Sequence, residues 1–361
     1  MRLFLSYIIG TVFVTLVSSV LIAEVAAQDG VVEPKQEYAE AEITQIVEED
    51  GQTYAEVKYS SGSRAGEDDR VLVLTDPKSQ DLEYQTGDSV IVLTTTTPEG
   101  NTSSYITDKM RTSPLIILFG IFVLIALLIG RWNGALSILG MIYSFGIIGR
   151  FVLPNIILGN NPVFVSILGG MLIAPVTFYL SHGFKWKTTA AILGTILSLL
   201  VTGILAAIFI SYGRLSGADS DEALFVQALI NTDINLQSLL LAGIIIGSLG
   251  ILDDITVSQA AIVKKLIDTN KHMSFKEVFF HSMDVGRDHI ASLVNTLILV
   301  YAGAALPLFL LFYNNELPFS IALSTEIVAI EIIKMLVGSI GLITAVPITT
   351  VIALFILIRK K

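Results

Sequence analysis

The sequence contains no cysteine. Disulfide frameworks, thiol nucleophiles and thiolate metal sites are therefore excluded. Histidine is scarce too: there are four, and none forms a His-Glu-x-x-His pair, so nothing supports a zinc hydrolase. Charge is thin. Only 15% of the 361 residues are Asp, Glu, Lys or Arg, against 53% hydrophobic, with a mean hydropathy of +0.73. A soluble globule carries about 25% charged residues, so the chain reads as a polytopic membrane protein whose surroundings are a lipid bilayer. No basic tract is long enough to suggest nucleic acid. No metal site, cofactor or enzymatic activity is expected.

The charge that is present is unevenly placed. Residues 28–113 hold 18 acidic and 7 basic residues, a net of −11, which leaves 14 acidic and 15 basic for the rest. The acidity belongs to one soluble segment. Three regions follow. Residues 1–27 form an N-terminal membrane helix or signal anchor, residues 28–113 an acidic β domain, and residues 114–361 a seven-helix membrane bundle. Within the first region, residues 3–23 are uniformly apolar, and Val25-Ala26-Ala27 resembles a signal cleavage site. The run is longer than a usual signal core, which favours a retained helix.

In the β domain the expected strands are Ala41–Val47, Tyr54–Tyr59, Val71–Leu74, Ser89–Thr95 and Ser103–Ile106. They alternate or carry β-branched runs between Gly, Asp and Pro clusters. Tyr84 to Asp88 reads as a tight turn into a strand. Five short strands suggest a small barrel, of the oligonucleotide/oligosaccharide-binding (OB) type. A passive acidic cap or docking domain and a ligand-binding domain both fit, and no aromatic binding face stands out.

Seven further spans are expected: Leu115–Gly130, Ala135–Val152, Val163–Leu180, Ala190–Tyr212, Leu239–Val263, Ile290–Phe312 and Met335–Ile358. Counting the first helix, Arg131, Lys185, Lys187, Lys264, Lys265, Lys271, Lys276, Arg287 and the terminal Arg359-Lys360-Lys361 all fall on one side. Positive charge marks the cytoplasmic side. The expectation is eight spans, both termini cytoplasmic and the β domain extracytoplasmic. Two short outer loops, 213–238 and 314–331, carry acidic residues. The stretch Ser274 to Ile290 has helical apolar spacing and suggests an amphipathic surface helix leading into the seventh span.

One span is unlike the others. Leu239 to Leu266 reads LLLAGIIIGSLGILDDITVSQAAIVKKL and carries Asp253 and Asp254. A carboxylate at membrane depth costs ~3 kcal/mol or more, so it is rare and usually functional. Lys264 and Lys265 close the segment and place the pair near mid-membrane. Gly243, Gly247, Ser248 and Gly250 precede it and would let another helix approach. Ser292, Asn295 and Thr296, with His289, share one face of the seventh span. The last span offers Gly338, Gly341, Thr344, Thr349, Thr350 and the kink-forming Pro347. These three helices are expected to enclose the aspartates. Two close carboxylates kept from water favour holding a proton, as an ion relay needs. A sodium site of carboxylate and hydroxyl oxygens is the near alternative, and a buried polar lock holding helices in register is the bland one. An intramembrane aspartyl protease would need its carboxylates on facing helices.

The segment Gly247 to Gln259, GSLGILDDITVSQ, resembles the signature of the YibE/F family of bacterial membrane proteins. The resemblance implies a bacterial cell-membrane location and an N-terminal helix, extracytoplasmic β segment and helical bundle. The last three spans more weakly resemble the resistance–nodulation–division superfamily, especially SecD and SecF. Arg287 lies in the connecting helix, and Gly338 to Leu354 resembles the final helix. The outer domain is much smaller here and two extra spans precede the match. This second resemblance implies an ion-responsive helix trio and either a homodimer or a related YibE/F-type partner subunit. The leading expectation is a permease-like protein that couples proton or sodium movement to transport. Asp253 and Asp254 would carry the ion, with Ser292, Asn295 and Thr296 lining the same pocket. The alternative is a non-transporting assembly or scaffold protein that recruits partners through its outer domain.

Overall fold

The computed structural model describes residues 35–49, 52–73, 84–97, 101–218, 223–226, 234–314 and 318–358. The first apolar segment, Leu74, the acidic residues Asp219, Asp221, Glu222, Asp233 and Glu316, and the three terminal cations lie outside the described residues. The chain divides into two compact units, residues 23–126 and a second containing residues 127–361.

The first unit holds five strands: β1 (Lys35–Glu49), β2 (Gln52–Tyr59), β3 (Asp68–Val73), β4 (Ser89–Thr96) and β5 (Thr102–Lys109). They close into a barrel in the order β1-β2-β3-β5-β4, with a single parallel pairing between β3 and β5. All five expected strands are present, and β1 starts six residues early. Its leading stretch alternates the exposed Tyr38, Glu40 and Glu42 with the buried Ala39 and Ala41, and so small an inward residue leaves little apolar signal. Period-two alternation places Ala41, Ile43, Ala55, Val57, Tyr59, Val71, Val90, Val92 and Ile106 inside. A register shift between Ile43 and Gln45 bends β1, as closure requires. Gly87, with φ of 92°, makes the expected turn into β4.

Helix α1 (Thr112–Ile147) continues through a π segment (Ile148–Val152) into the short α2 (Leu153–Ile157). Arg131 interrupts α1 with φ of 51° and ψ of −132°. Then come α3 (Pro162–His182), α4 (Trp186–Tyr212), α5 (Leu236–Thr269), α6 (Phe275–Ala304), α7 (Leu306–Asn314), α8 (Phe319–Ser324) and α9 (Glu326–Ile358). Thr112–Ile157, α3, α4, α5 and α9 are long and apolar enough to cross a membrane, and α6 with α7 forms a further pair bent by 60°. The expected surface helix before the seventh span is not separate. It is the first half of α6, started by a capping box between Ser274 and Glu277 and running unbroken into the apolar half.

In the second unit α5 packs against α3, α4, α6 and α9, and α4 packs along α9. Reciprocal glycines set the α4–α9 fit. A Cβ on Gly194 of α4 would strike the Thr349 hydroxyl of α9, and one on Gly341 of α9 would strike the Thr202 hydroxyl of α4. Each helix thus carries a glycine followed eight residues later by a threonine. The two copies meet head to tail, a local two-fold in an antiparallel pair.

Candidate functional site

Asp253 is the eighteenth of the 34 residues of α5, almost at its midpoint. Consecutive helical residues differ by about 100°, and the two aspartates accordingly part company. Asp253 is half-buried at the edge of the packed face, whereas Asp254 is exposed. Asp254 stands within electrostatic range of Asp253 and of His182 at the end of α3. Gly243, Gly247 and Gly250 share its uncovered face, and a Cβ at any of them would meet nothing within 4 Å. Among the described residues they pack closely against no other helix. Gly338 does lie buried, with its missing Cβ 4.0 Å from Ile251 Cδ1 of α5. Pro347 sits inside α9 without ending it.

The expected pocket is not assembled as the sequence suggested. Ser292, Asn295, Thr296 and His289 are exposed on α6, and the Thr296 hydroxyl donates to its own helix at Ser292 O, 3.0 Å away. The reason is the helix phase: α6 turns Val278, Ser282, Gly286 and Leu297 inward, and the polar stripe lies beside that face.

What the bundle does enclose is a different polar set. Thr195 and Ser198 of α4, Thr256 and Gln259 of α5, Ser282 of α6, and Thr349 and Thr350 of α9 are all completely buried. Thr195 and Thr256 share a 2.6 Å hydrogen bond, and Thr256 Oγ1 donates to the Asp253 carbonyl at 3.2 Å. Gln259 Nε2 donates to Ser282 O at 3.0 Å and to Thr350 Oγ1 at 2.7 Å, tying α5 to α6 and α9. A Cβ on Gly286 would come within 3.1 Å of Gln259 Oε1, so α6 approaches at that glycine. Sequence reasoning noted Thr349 and Thr350 but gave Gln259 no role, although it ends the quoted signature. Its signal was there: one uncharged amide six residues beyond Asp253 in an otherwise apolar run. The three-and-four spacing of Thr195, Ser198 and Thr202 was the matching sign on α4.

Among the described residues no group of three or more His, Cys, Asp and Glu could hold a metal. Towards the Leu236 end of α5, a cavity of about 320 Å³ is lined by residues that include Leu239, Gly243, Glu331 and Lys334. Lys334 Nζ pairs there with Glu331 Oε1 at 2.8 Å.

A bundle of long apolar helices packed around a helix with two aspartates at its middle, in a chain that also folds a small five-stranded barrel, fits a polytopic membrane protein. The chain belongs to the YibE/F-like protein family, whose model matches residues 118–359. No curated protein and no solved structure matches it.

Proposed function

We propose that the chain is a permease-like protein of the bacterial cell membrane in which Asp253 takes up and releases a coupling ion, proton or sodium, as substrate moves. The observation that carries this reading is a carboxylate at the midpoint of the most enclosed apolar helix, one turn from a buried hydroxyl and amide network. A carboxylate there is expensive unless it is used. Asp254 adjusts Asp253 electrostatically.

The topology we propose has eight spans. Thr112–Ile157 has 46 residues, about 69 Å of helix, against a hydrocarbon core of about 30 Å. The interruption at Arg131 divides it into two spans, and α6 with α7 makes one broken span. Residues 3–23 supply the first. Both termini are then cytoplasmic, with the barrel outside and the clustered basic residues of the bundle inside, Arg150, Arg214 and Lys334 being single charges near outer span ends. A second copy, or a related subunit, covers Gly243, Gly247, Gly250 and Asp254. Because the chain has no cysteine, Gly247→Cys gives a clean test: oxidative cross-linking in native membranes is expected, and none from Gly194→Cys.

The competing reading is a non-transporting scaffold that recruits partners through the barrel, favoured by the barrel being a complete closed domain. Asp253→Asn separates the two. In vesicles with pH and sodium gradients imposed separately, and in cells, normal protein levels with lost function support ion coupling. Normal levels with intact function would leave only the scaffold.

A further inference from the structure

On the Lys264–Lys265 side of Asp253, α4, α5, α6 and α9 meet around buried polar side chains set among apolar ones. Gln259 Oε1, Ser282 Oγ and Thr349 Oγ1 are buried there, and Ser198 Oγ about one turn along α4 from Thr195, level with Asp253; all four lack a hydrogen-bond partner among the described residues. The Gln259 amide has a fixed sense. Both Nε2 protons are used, one on Ser282 O and one on Thr350 Oγ1, which itself donates to Val346 O at 2.8 Å. Turning the amide over would set its oxygen against the Ser282 carbonyl. Oε1 is therefore an acceptor aimed into the junction with nothing to accept. Native cores bond such groups to protein or to water, and internal water settles where two to four polar groups converge.

The polar groups are also in order. Asp253, Thr256 and Gln259 succeed one another on α5 at three-residue steps, about 4.5 Å of rise each. Beyond Gln259 comes Ser282, flanked on α6 by the exposed His281 and Asp284. The column thus runs from a charged surface to the half-buried carboxylate.

We propose that this column holds internal water and is the route by which protons reach Asp253 from the Lys264–Lys265 side, so that the coupling ion is the proton. The proposal rests on the reading of Asp253 given above. A relay member must accept and donate at once, which water and the Ser282, Thr349, Ser198, Thr256 and Thr195 hydroxyls can do. At each oxygen one O–H bond forms as another breaks towards the next, and the last forms on the Asp253 carboxylate. Nothing is oxidised or reduced. The Gln259 amide does not relay; it is a positioning residue that orients water at Oε1. A sodium ion would find no carboxylate in the column before Asp253, which favours the proton.

Infrared difference spectra of the full chain in bilayers after a pH drop test this without a known substrate. A band from a protonated carboxyl group is expected, lost in Asp253→Asn and unchanged by sodium. Its rate of appearance should fall about tenfold in Gln259→Leu and in Thr256→Val, with a deuterium isotope effect in the unaltered chain. Thermal unfolding is the second measurement. If water bonds the hydroxyls, Thr349→Val and Ser282→Ala lower Tm by about 2–4 °C; if the hydroxyls are dry, both raise it and the column is refuted. Wild-type rates in Gln259→Leu and Thr256→Val, with the band still absent from Asp253→Asn, overturn the route alone. No band in the unaltered chain sinks the Asp253 reading itself, and a band that follows sodium overturns the choice of proton.

Discussion

The two faces of α5 differ in kind. One carries Leu252, Ile255, Thr256, Gln259 and Val263, all buried against α3, α4, α6 and α9. The other carries Gly243, Gly247, Gly250 and Asp254, all uncovered. Both mix small or polar residues into an apolar span, and by composition they look alike. The difference is whether each polar group meets a partner from another helix. In hydrocarbon, helices associate through close packing and interhelical hydrogen bonds rather than through a hydrophobic drive. A polar face that meets the other helices of the chain is therefore a fold determinant, and the open face is where we propose that a partner binds.

Bulk should separate the faces most sharply. Gly194→Leu or Gly341→Leu forces a side chain into a threonine of the facing helix. We expect a loss of about 3 kcal/mol, the upper part of the range for over-packing. Gly243→Leu and Gly247→Leu should stay within about 0.5 kcal/mol in detergent-solubilised monomer. Thermal unfolding of the four variants decides it. Equal losses on both faces would mean that the glycine stripe is already packed within one chain.

Polarity gives a smaller contrast. Gln259→Ala removes one side chain that serves Ser282 O and Thr350 at once, and leaves the Ser282 carbonyl buried without that donor. About 2 kcal/mol is expected to be lost. Asp254→Asn, on the open face, should change monomer stability by under about 0.5 kcal/mol. A large loss from Asp254→Asn would place Asp254 inside the fold and dissolve the distinction between the faces.

These contrasts also mark what was legible in the sequence. The barrel could be read because strand alternation depends on neighbours two residues apart, while the alanine-lined start of β1, the charged start of β3 and the polar end of β5 escaped. Long apolar helices could be read because hydropathy is a local sum, although the two spans expected over Leu115–Gly130 and Ala135–Val152 fall within the single stretch Thr112–Ile157. The expected depth of Asp253 came from counting residues to Lys264 and Lys265; what the structure gives is its place midway along α5. The direction each polar residue faces could not be read, because it depends on which helices pack where. Ser292, Asn295 and Thr296 share a face, as their spacing required, yet that face lies beside the contact surface of α6. Gly243, Gly247 and Gly250 have the spacing of a packing stripe, while glycines that do pack tightly, among them Gly169, Gly194, Gly286 and Gly341, are spread over four helices. The Gln259 amide was visible as a residue type, but its partners were not, since they lie on α6 and α9, 23 and 91 residues away.

The smallest effect expected is in the barrel, where a polar pair has water as an alternative partner. Lys109 Nζ bonds Asp88 Oδ2 at 2.7 Å, and the Gln85 backbone N–H bonds the same oxygen at 2.9 Å. The Lys109 bond first, and the backbone bond second, hold the Asp88 carboxyl below its ordinary value. A carboxyl more acidic in the folded state stabilises that state above its unfolded value of about 3.9. The contribution fades as pH falls through the lower folded value. Barrel stability should therefore be flat in this respect from pH 7 to 5 and decline below about pH 4. Both side chains keep about a quarter or more of their surface exposed, so solvent screening limits the effect to under about 1 kcal/mol. Asp88→Asn retains an oxygen for Gln85 but loses the charge seen by Lys109, so it should lower stability slightly at pH 7 and flatten the acid limb. Amide NMR signals of the barrel, followed through urea titrations of the full chain at pH 7, 5 and 3, would show this. A loss at pH 7 as large as that of Gln259→Ala would mean that burial between helices is not what gives a polar contact its weight in this protein.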